Sequence, residues 1–162
     1  MRSIIICIAV VLISGFGMKT TAQVNKFQAL YLVNFTKNLD WPGDKVTIGV
    51  VGNTKALIEL ESLAAKYPDI SLKKISGSES ISDCNLIFLP SAQSRNFSLI
   101  QGKIGNSAIV LVAEDQNLIS DGAEMAFYME GNKLKFLINK SELDKAGVSA
   151  TDKLLSVAKV VN

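Results

Sequence analysis

Few residues in this chain could do chemistry, and they are scattered along it. Glu114 and Asp115 are adjacent carboxylates just past an apolar run that reads as a buried strand, the place where open α/β sheets keep their ligand crevice. Such a pair can hold a cation or exchange protons, but without further acidic neighbours it serves equally as a solvated loop. Gly49-Val50-Val51-Gly52, followed by Asn53, leads from a strand toward a helix as phosphate-binding loops do. It is neither Gly-x-Gly-x-x-Gly nor a P-loop, and a tight strand-to-helix turn explains it as well. Gly52, Asn53 and Glu114 together are the candidate crevice for a small ligand. Histidine is absent from all 162 residues, which excludes Ser-His-Asp and Cys-His catalysis and imidazole-ligated metals within the chain. No catalytic residue, metal or cofactor is expected, and the chain does not read as an enzyme.

Tyr31, Phe35 and Trp41 form the one aromatic concentration, with Lys37 among them. Two readings stand: core packing, which the four-residue step from Tyr31 to Phe35 suits, and an exposed patch for a partner. Tyr31, Lys37 and Trp41 are the candidate partner contacts. Cys84 opens the apolar run through Leu89 and reads as a small buried hydrophobe, since no adjacent cation lowers its pKa.

The elements that must position these groups begin after a secretory signal. Arg2, the apolar run Ile4 to Phe16, and Thr20-Thr21-Ala22 predict cleavage before Gln23, leaving residues 23–162 as one domain exported to the periplasm. The run has 13 residues, whereas crossing a bilayer as a helix takes about 20. Of 17 Lys and Arg, Arg2 and Lys19 leave with the signal, so the mature chain balances 15 basic against 15 acidic residues. That neutrality argues against nucleic acid as a partner. Cys7 also leaves, so Cys84 has no intramolecular disulfide partner.

Phe27, Leu30, Tyr31, Phe35 and Leu39 recur at helical steps and predict an amphipathic helix over 24–39, ended by Trp41-Pro42-Gly43. Val46 to Val51, Cys84 to Leu89 and Ala108 to Val112 read as strands covered on both faces, and Ile70 to Ile75 as a further strand. Helices are expected from Lys55 to Lys66 and from Arg95 to Gln101, with a loop from Ser76 to Ser82. Glu124 to Glu130 and Lys133 to Asn139 alternate around Gly131-Asn132, the pattern of a hairpin with a type II′ turn. Asn139 with Glu142 predicts a capped short helix stopping at Gly147. Ser149 with Asp152 predicts a final helix whose stripe is Leu154, Leu155, Ala158 and Val161. The fold class is α/β: a Rossmann-like three-layer sandwich with a mostly parallel sheet extended by a C-terminal antiparallel hairpin.

These phrases, in this order, resemble the YfiR-like periplasmic proteins. Ala29-Leu30-Tyr31-Leu32-Val33-Asn34-Phe35-Thr36-Lys37 through Trp41-Pro42 is similar to that family's "YNFAKFVEWP" opening. Ile48-Gly49-Val50-Val51-Gly52 resembles "CVLGD", Cys84 to Leu89 "CHILFIS", Phe136-Leu137-Ile138-Asn139 "FEIN", and Ala146-Gly147-Val148-Ser149 with Leu154-Leu155 the "AGLRISSQLL" ending. The likeness runs from about Val24 to Val161. It departs at Ala64 to Asp69, where a glycine-rich segment is usual, and at Ala126 and Leu137, where asparagine and glutamate are usual.

The resemblance implies a regulatory protein that contacts the periplasmic domain of an inner-membrane signalling protein, a diguanylate cyclase or a sensor kinase, and restrains it. It further implies control of cyclic di-GMP and biofilm formation, an outer-membrane lipoprotein as a second partner, and a homodimer. The alternative reading is a periplasmic small-ligand sensor or carrier using the crevice at Gly52, Asn53 and Glu114. Intact-mass measurement of protein from the periplasmic fraction should find a chain beginning at or near Gln23; retention of Met1 would overturn the export reading.

Overall fold

The computed structural model describes residues 21–76 and 81–162. The signal-peptide reading falls largely on residues outside that range, as does the middle of the loop expected from Ser76 to Ser82. Helix α1 (Thr21–Asn38) leads through β1 (Leu39–Asp40) to β2 (Val46–Val51), α2 (Lys55–Ala64) and β3 (Ile70–Ile75). Next come β4 (Leu86–Leu89), a 3-10 turn (Ser91–Asn96), α3 (Phe97–Ile104) and β5 (Val110–Ala113). After a second 3-10 turn (Gln116–Ile119), β6 (Met125–Glu130) and β7 (Lys133–Asn139) form the hairpin. The chain closes with α4 (Lys140–Lys145), β8 (Ser149–Ala150), α5 (Asp152–Leu155) and β9 (Lys159–Val161).

The main sheet has seven strands in the order β3-β2-β4-β5-β6-β7-β9. Its first five strands are mutually parallel, in the doubly wound order whose direction reverses between β2 and β4. β7 turns back antiparallel to β6, in register from Met125 opposite Ile138 to Glu130 opposite Lys133. Gly131 has φ +56° and no residue other than glycine has positive φ among those described, so the turn has the single left-handed position of type II′.

Both sheet faces are covered, which is why β4 and β5 are apolar at every position. Ile48, Val50, Leu86, Phe88, Val110 and Val112 face α1 and α2; Val51, Ile87, Leu89 and Leu111 face α3 and the second 3-10 turn. This is the expected three-layer sandwich. Gly49 sits inside β2, as the run Val46 to Val51 predicts. A Cβ there would lie 2.6 Å from Ile75 Cδ1 and 2.8 Å from Cys84 Sγ, so the glycine lets a buried thiol pack against the strand. Cys84 is buried ahead of the ladder, and burial pushes its thiol up, with Lys73 opposing and Asp83 reinforcing.

Three expectations are corrected. The chain does not end in a helix: α5 is one turn, and Lys159–Val161 forms β9, parallel to β7. β-branched Val160 and Val161 suit a ladder on the open edge of β7 better than a helix without room for two turns. The cap of α5 is Thr151, whose Oγ accepts from Leu154 N–H at 3.3 Å, while Ser149 pairs with Asp40 in a small β1-β8 sheet. The helix expected from Arg95 to Gln101 starts instead at Phe97 behind a 3-10 turn and runs on to Ile104, where Gly105 at φ +54° stops it. On α1, the buried side is Ala29, Leu32, Val33 and Phe35, and Phe27 and Leu30 stand outside it. Small Ala29 lets the helix approach the sheet closely, a seat the bulkier residues would obstruct.

Glu124 is the buried acid of this interior, 9% exposed. Its Oε2 accepts from Leu111 N–H at 2.9 Å and its carbonyl from Asn139 N–H at 2.9 Å, so it joins β5 to β7 where the β5-β6 ladder has not yet begun. Burial pushes its carboxyl up to about 7; the Leu111 N–H and its own N–H oppose this, and Glu142 adds to it. A carboxyl raised in the folded state favours folding when protonated. Its contribution is complete below the unfolded value of 4.5 and is lost as pH climbs through about 7. Glu124→Gln keeps an acceptor for Leu111 and removes the titration. Between pH 5 and 8, urea unfolding should therefore show the wild type losing about 2 kcal/mol relative to the variant. Parallel pH profiles would contradict the assignment.

Candidate functional site

The carboxyl ends of β5 and β6 open into a cavity of about 410 Å³ roofed by Val24 and Gln28 from the first turns of α1. Glu114, at the exit of β5, lies on its wall. Its carboxylate takes two donors from elsewhere: Gln28 Nε2 at 2.7 Å and Ser91 N–H at 2.7 Å. One side chain thus ties α1, the exit of β4 and the exit of β5 together, which is more than a solvated loop requires. Gln28 is buried, so this amide-carboxylate bond is shielded from water. Asp115 does a local task, accepting from Asn117 N–H at 3.0 Å to cap the second 3-10 turn. Tyr128 and Met129 line the opposite wall.

Gly52 and Asn53 do not reach this cavity. Gly52 has φ +74°, donates its N–H to Ile75 O at 2.8 Å, and makes the turn into α2 that Thr54 caps. The side chain of Gln93 lies over it, 3.1 Å from where a Cβ would stand. The 3-10 turn from Ser91 thus separates Gly52 and Asn53 from Glu114, and Asn53 is exposed. Among the described residues, no group of three or more His, Cys, Asp or Glu is placed to hold a metal ion, and no helix is long and apolar enough to cross a membrane.

The partner-contact candidates separate into two places. Tyr31 is half-buried in an aromatic cluster, its ring centroid 6.1 Å from Phe35, 6.0 Å from Phe127 and 5.2 Å from Phe136. Its hydroxyl donates to Leu134 O at 3.1 Å. Lys37 and Trp41 lie at the far end of α1. The Lys37 ammonium sits 3.4 Å over the Tyr67 ring, and Trp41 Nε1–H donates to Thr36 O at 3.0 Å while its ring packs on the core. Core packing accounts for Phe35, which is fully buried, while Trp41 is half-buried and packs against the core. Sequence reasoning missed Gln28 and put Phe27 and Leu30 on the buried stripe, whereas both are exposed. The signal available was that α1 is apolar on more than one side, too broadly for a single buried stripe.

Comparisons with known proteins follow the fold. A crystal structure of a conserved domain protein from Vibrio cholerae O1 biovar El Tor strain N16961 aligns with TM-score 0.61 and 16% identity, over 85% of this chain and 60% of that one. The ABC domain in complex with L-Trp from Streptococcus pneumonia aligns with TM-score 0.64 and 13% identity, over 82% of this chain and 60% of that one. This chain thus spans about 60% of the length of each solved chain, and at these identities the likeness is one of fold. No curated protein matches the sequence. The profile of the YfiR/HmsC-like proteins matches residues 25–159, from α1 to β9, so the chain belongs to the YfiR/HmsC-like family, whose members are periplasmic regulators of diguanylate cyclases.

Proposed function

We propose that this chain is a periplasmic inhibitor that binds the periplasmic domain of a membrane-bound signalling protein, a diguanylate cyclase first and a sensor kinase second, and holds it inactive. The observation that carries the reading is the family match across nearly the whole folded domain. Inhibition by contact needs no catalytic group. A soluble protein that binds the inactive form of its target more tightly than the active form shifts the population by that difference, tenfold for about every 1.4 kcal/mol. Export through the segment before Gln23 would place it beside such a target. Self-association, and capture by an outer-membrane lipoprotein, would set how much free inhibitor remains.

A second reading, a small-ligand sensor or carrier, draws on the cavity walled by Glu114, Gln28 and Tyr128. The description of one fold neighbour as an L-Trp complex is compatible with ligand use by this architecture. Within the first reading, Tyr31, Lys37 and Trp41 are contact candidates, with Lys37 and Trp41 partly spent on internal partners.

In cells lacking the chain, cyclic di-GMP should rise several-fold and return to its basal level when the chain is restored. No change in either direction would remove the diguanylate cyclase as the target. Trp41→Ala separates brace from contact. The hydrogen bond to Thr36 makes loss of about 2 kcal/mol of stability the expected result, with regulation intact where the variant is folded. Unchanged melting with lost regulation would make Trp41 an interface anchor instead.

A further inference from the structure

Helix α1 is apolar on two sides, and only one is used by the core. On the outer side, Phe27 is 39% and Leu30 41% exposed. Two adjoining hollows share Phe27 and Tyr31: one runs along the helix past Leu30 and Asn34, and the other crosses to Leu134 and Val157, flanked by Lys133 and Lys135. Val157 is 62% exposed. Single exposed apolar residues are ordinary on a surface, and Ile58 on α2 and Leu99 on α3 are of that kind. Here the apolar side chains adjoin. β9 pairs with β7 only from Leu137 onward, and before it the Tyr31 hydroxyl meets β7 at Leu134 O.

The rim of this patch is cationic. Its charge comes from the hairpin side, Lys133 and Lys135, since Lys37 of α1 stands at the far end of the helix over Tyr67. Across the hollow Glu130 binds Lys135 at 2.7 Å, and Lys133 and Lys159 also act on it; the Lys135 hydrogen bond chiefly holds its carboxyl below the usual range. Three lysines around one carboxylate leave the corner net positive, although the mature chain as a whole is neutral.

We propose that this face, built from Phe27, Leu30 and Tyr31 of α1 with Val157 and rimmed by Lys133 and Lys135, docks an acidic amphipathic segment of the membrane-bound partner's periplasmic domain. This rests on the regulatory reading above and adds where the contact is made and what it recognises. A second copy of the chain fits worse, because a two-fold contact would set these lysines against their own images. An anionic membrane surface asks for a denser cluster, typically about 4–8 basic residues.

The test restores cells lacking the chain with wild type, Leu30→Asp, Val157→Asp, Lys133→Glu, and the controls Ile58→Asp and Leu99→Asp, reading cyclic di-GMP, periplasmic abundance and melting temperature. Wild type and both controls should restore the basal level. Leu30→Asp and Val157→Asp should leave it near the level without the chain, and Lys133→Glu should weaken restraint about tenfold, all at unchanged abundance and melting. Restoration by Leu30→Asp and Val157→Asp as complete as by wild type would overturn the surface while leaving the regulatory reading intact. Failure of wild type itself would remove that reading, and the surface with it. Loss of self-association on sedimentation of Leu30→Asp would reassign the face to a second copy. Loss of wild-type binding to phosphatidylglycerol vesicles in Leu30→Asp would reassign it to a membrane.

Discussion

The contact on which the rest of the molecule depends is the seating of α1 on the β6-β7 hairpin. Tyr31 and Phe35 from the helix interlock with Phe127 and Phe136 from the hairpin at centroid distances between 4.9 and 6.0 Å. Each such pair contributes about 0.5–1.5 kcal/mol beyond the area it buries. The pairing joins residues about a hundred positions apart, so the first helix and the last hairpin close the domain together. The Tyr31 hydroxyl on Leu134 O, the pairing of Leu39–Asp40 with Ser149–Ala150, and the bond from Thr151 N–H to Asn38 O all follow the same seam. In a chain without a disulfide partner for Cys84 among the described residues, that seam is covalently unsupported and rests on packing.

The seam also relates the fold to its surface. Setting Phe35 inward and Ala29 against the sheet turns Phe27 and Leu30 outward, and brings them beside Val157 from the end of the chain. The apolar, lysine-rimmed face therefore exists only in the closed domain, since neither end of the sequence carries it alone. From the same turns of the helix, Gln28 reaches Glu114 and holds α1 over the exits of β4 and β5. A carboxylate engaged by two donors at 2.7 Å positions the helix that carries the patch, and it walls the cavity beneath.

Much of the architecture was legible because strands buried on both faces leave a continuous apolar run bounded by turn residues. Val46–Val51 begins and ends where its apolar run does, edge strand Ile70–Ile75 follows from weaker alternation, and the hairpin around Gly131-Asn132 follows from alternation and one glycine. The end of the chain was misread because Leu154, Leu155, Ala158 and Val161 satisfy a helical period by accident. What decides them is the open edge of β7, a partner that local sequence does not contain. The site was less legible for the same reason. Gln28 and Glu114 are 86 positions apart and meet only through the topology, and Glu124 gives no local sign that it will be buried between β5 and β7. On α1, the helical steps from Phe27 to Leu39 indicated a helix but put Phe27 and Leu30 on the buried face, whereas Ala29, Leu32, Val33 and Phe35 face in.

Native-state hydrogen exchange, resolved by mass spectrometry over α1 and the hairpin, tests this dependence most directly. If the aromatic seam closes the domain, amides of Leu32 to Thr36 and of Phe127 to Phe136 should exchange through one opening of equal free energy, and Phe35→Ala should lower both together. If α1 exchanges through an opening about 2 kcal/mol cheaper than that of the hairpin, the helix is an appendage on a self-sufficient sheet, and the seam is not what holds the molecule together.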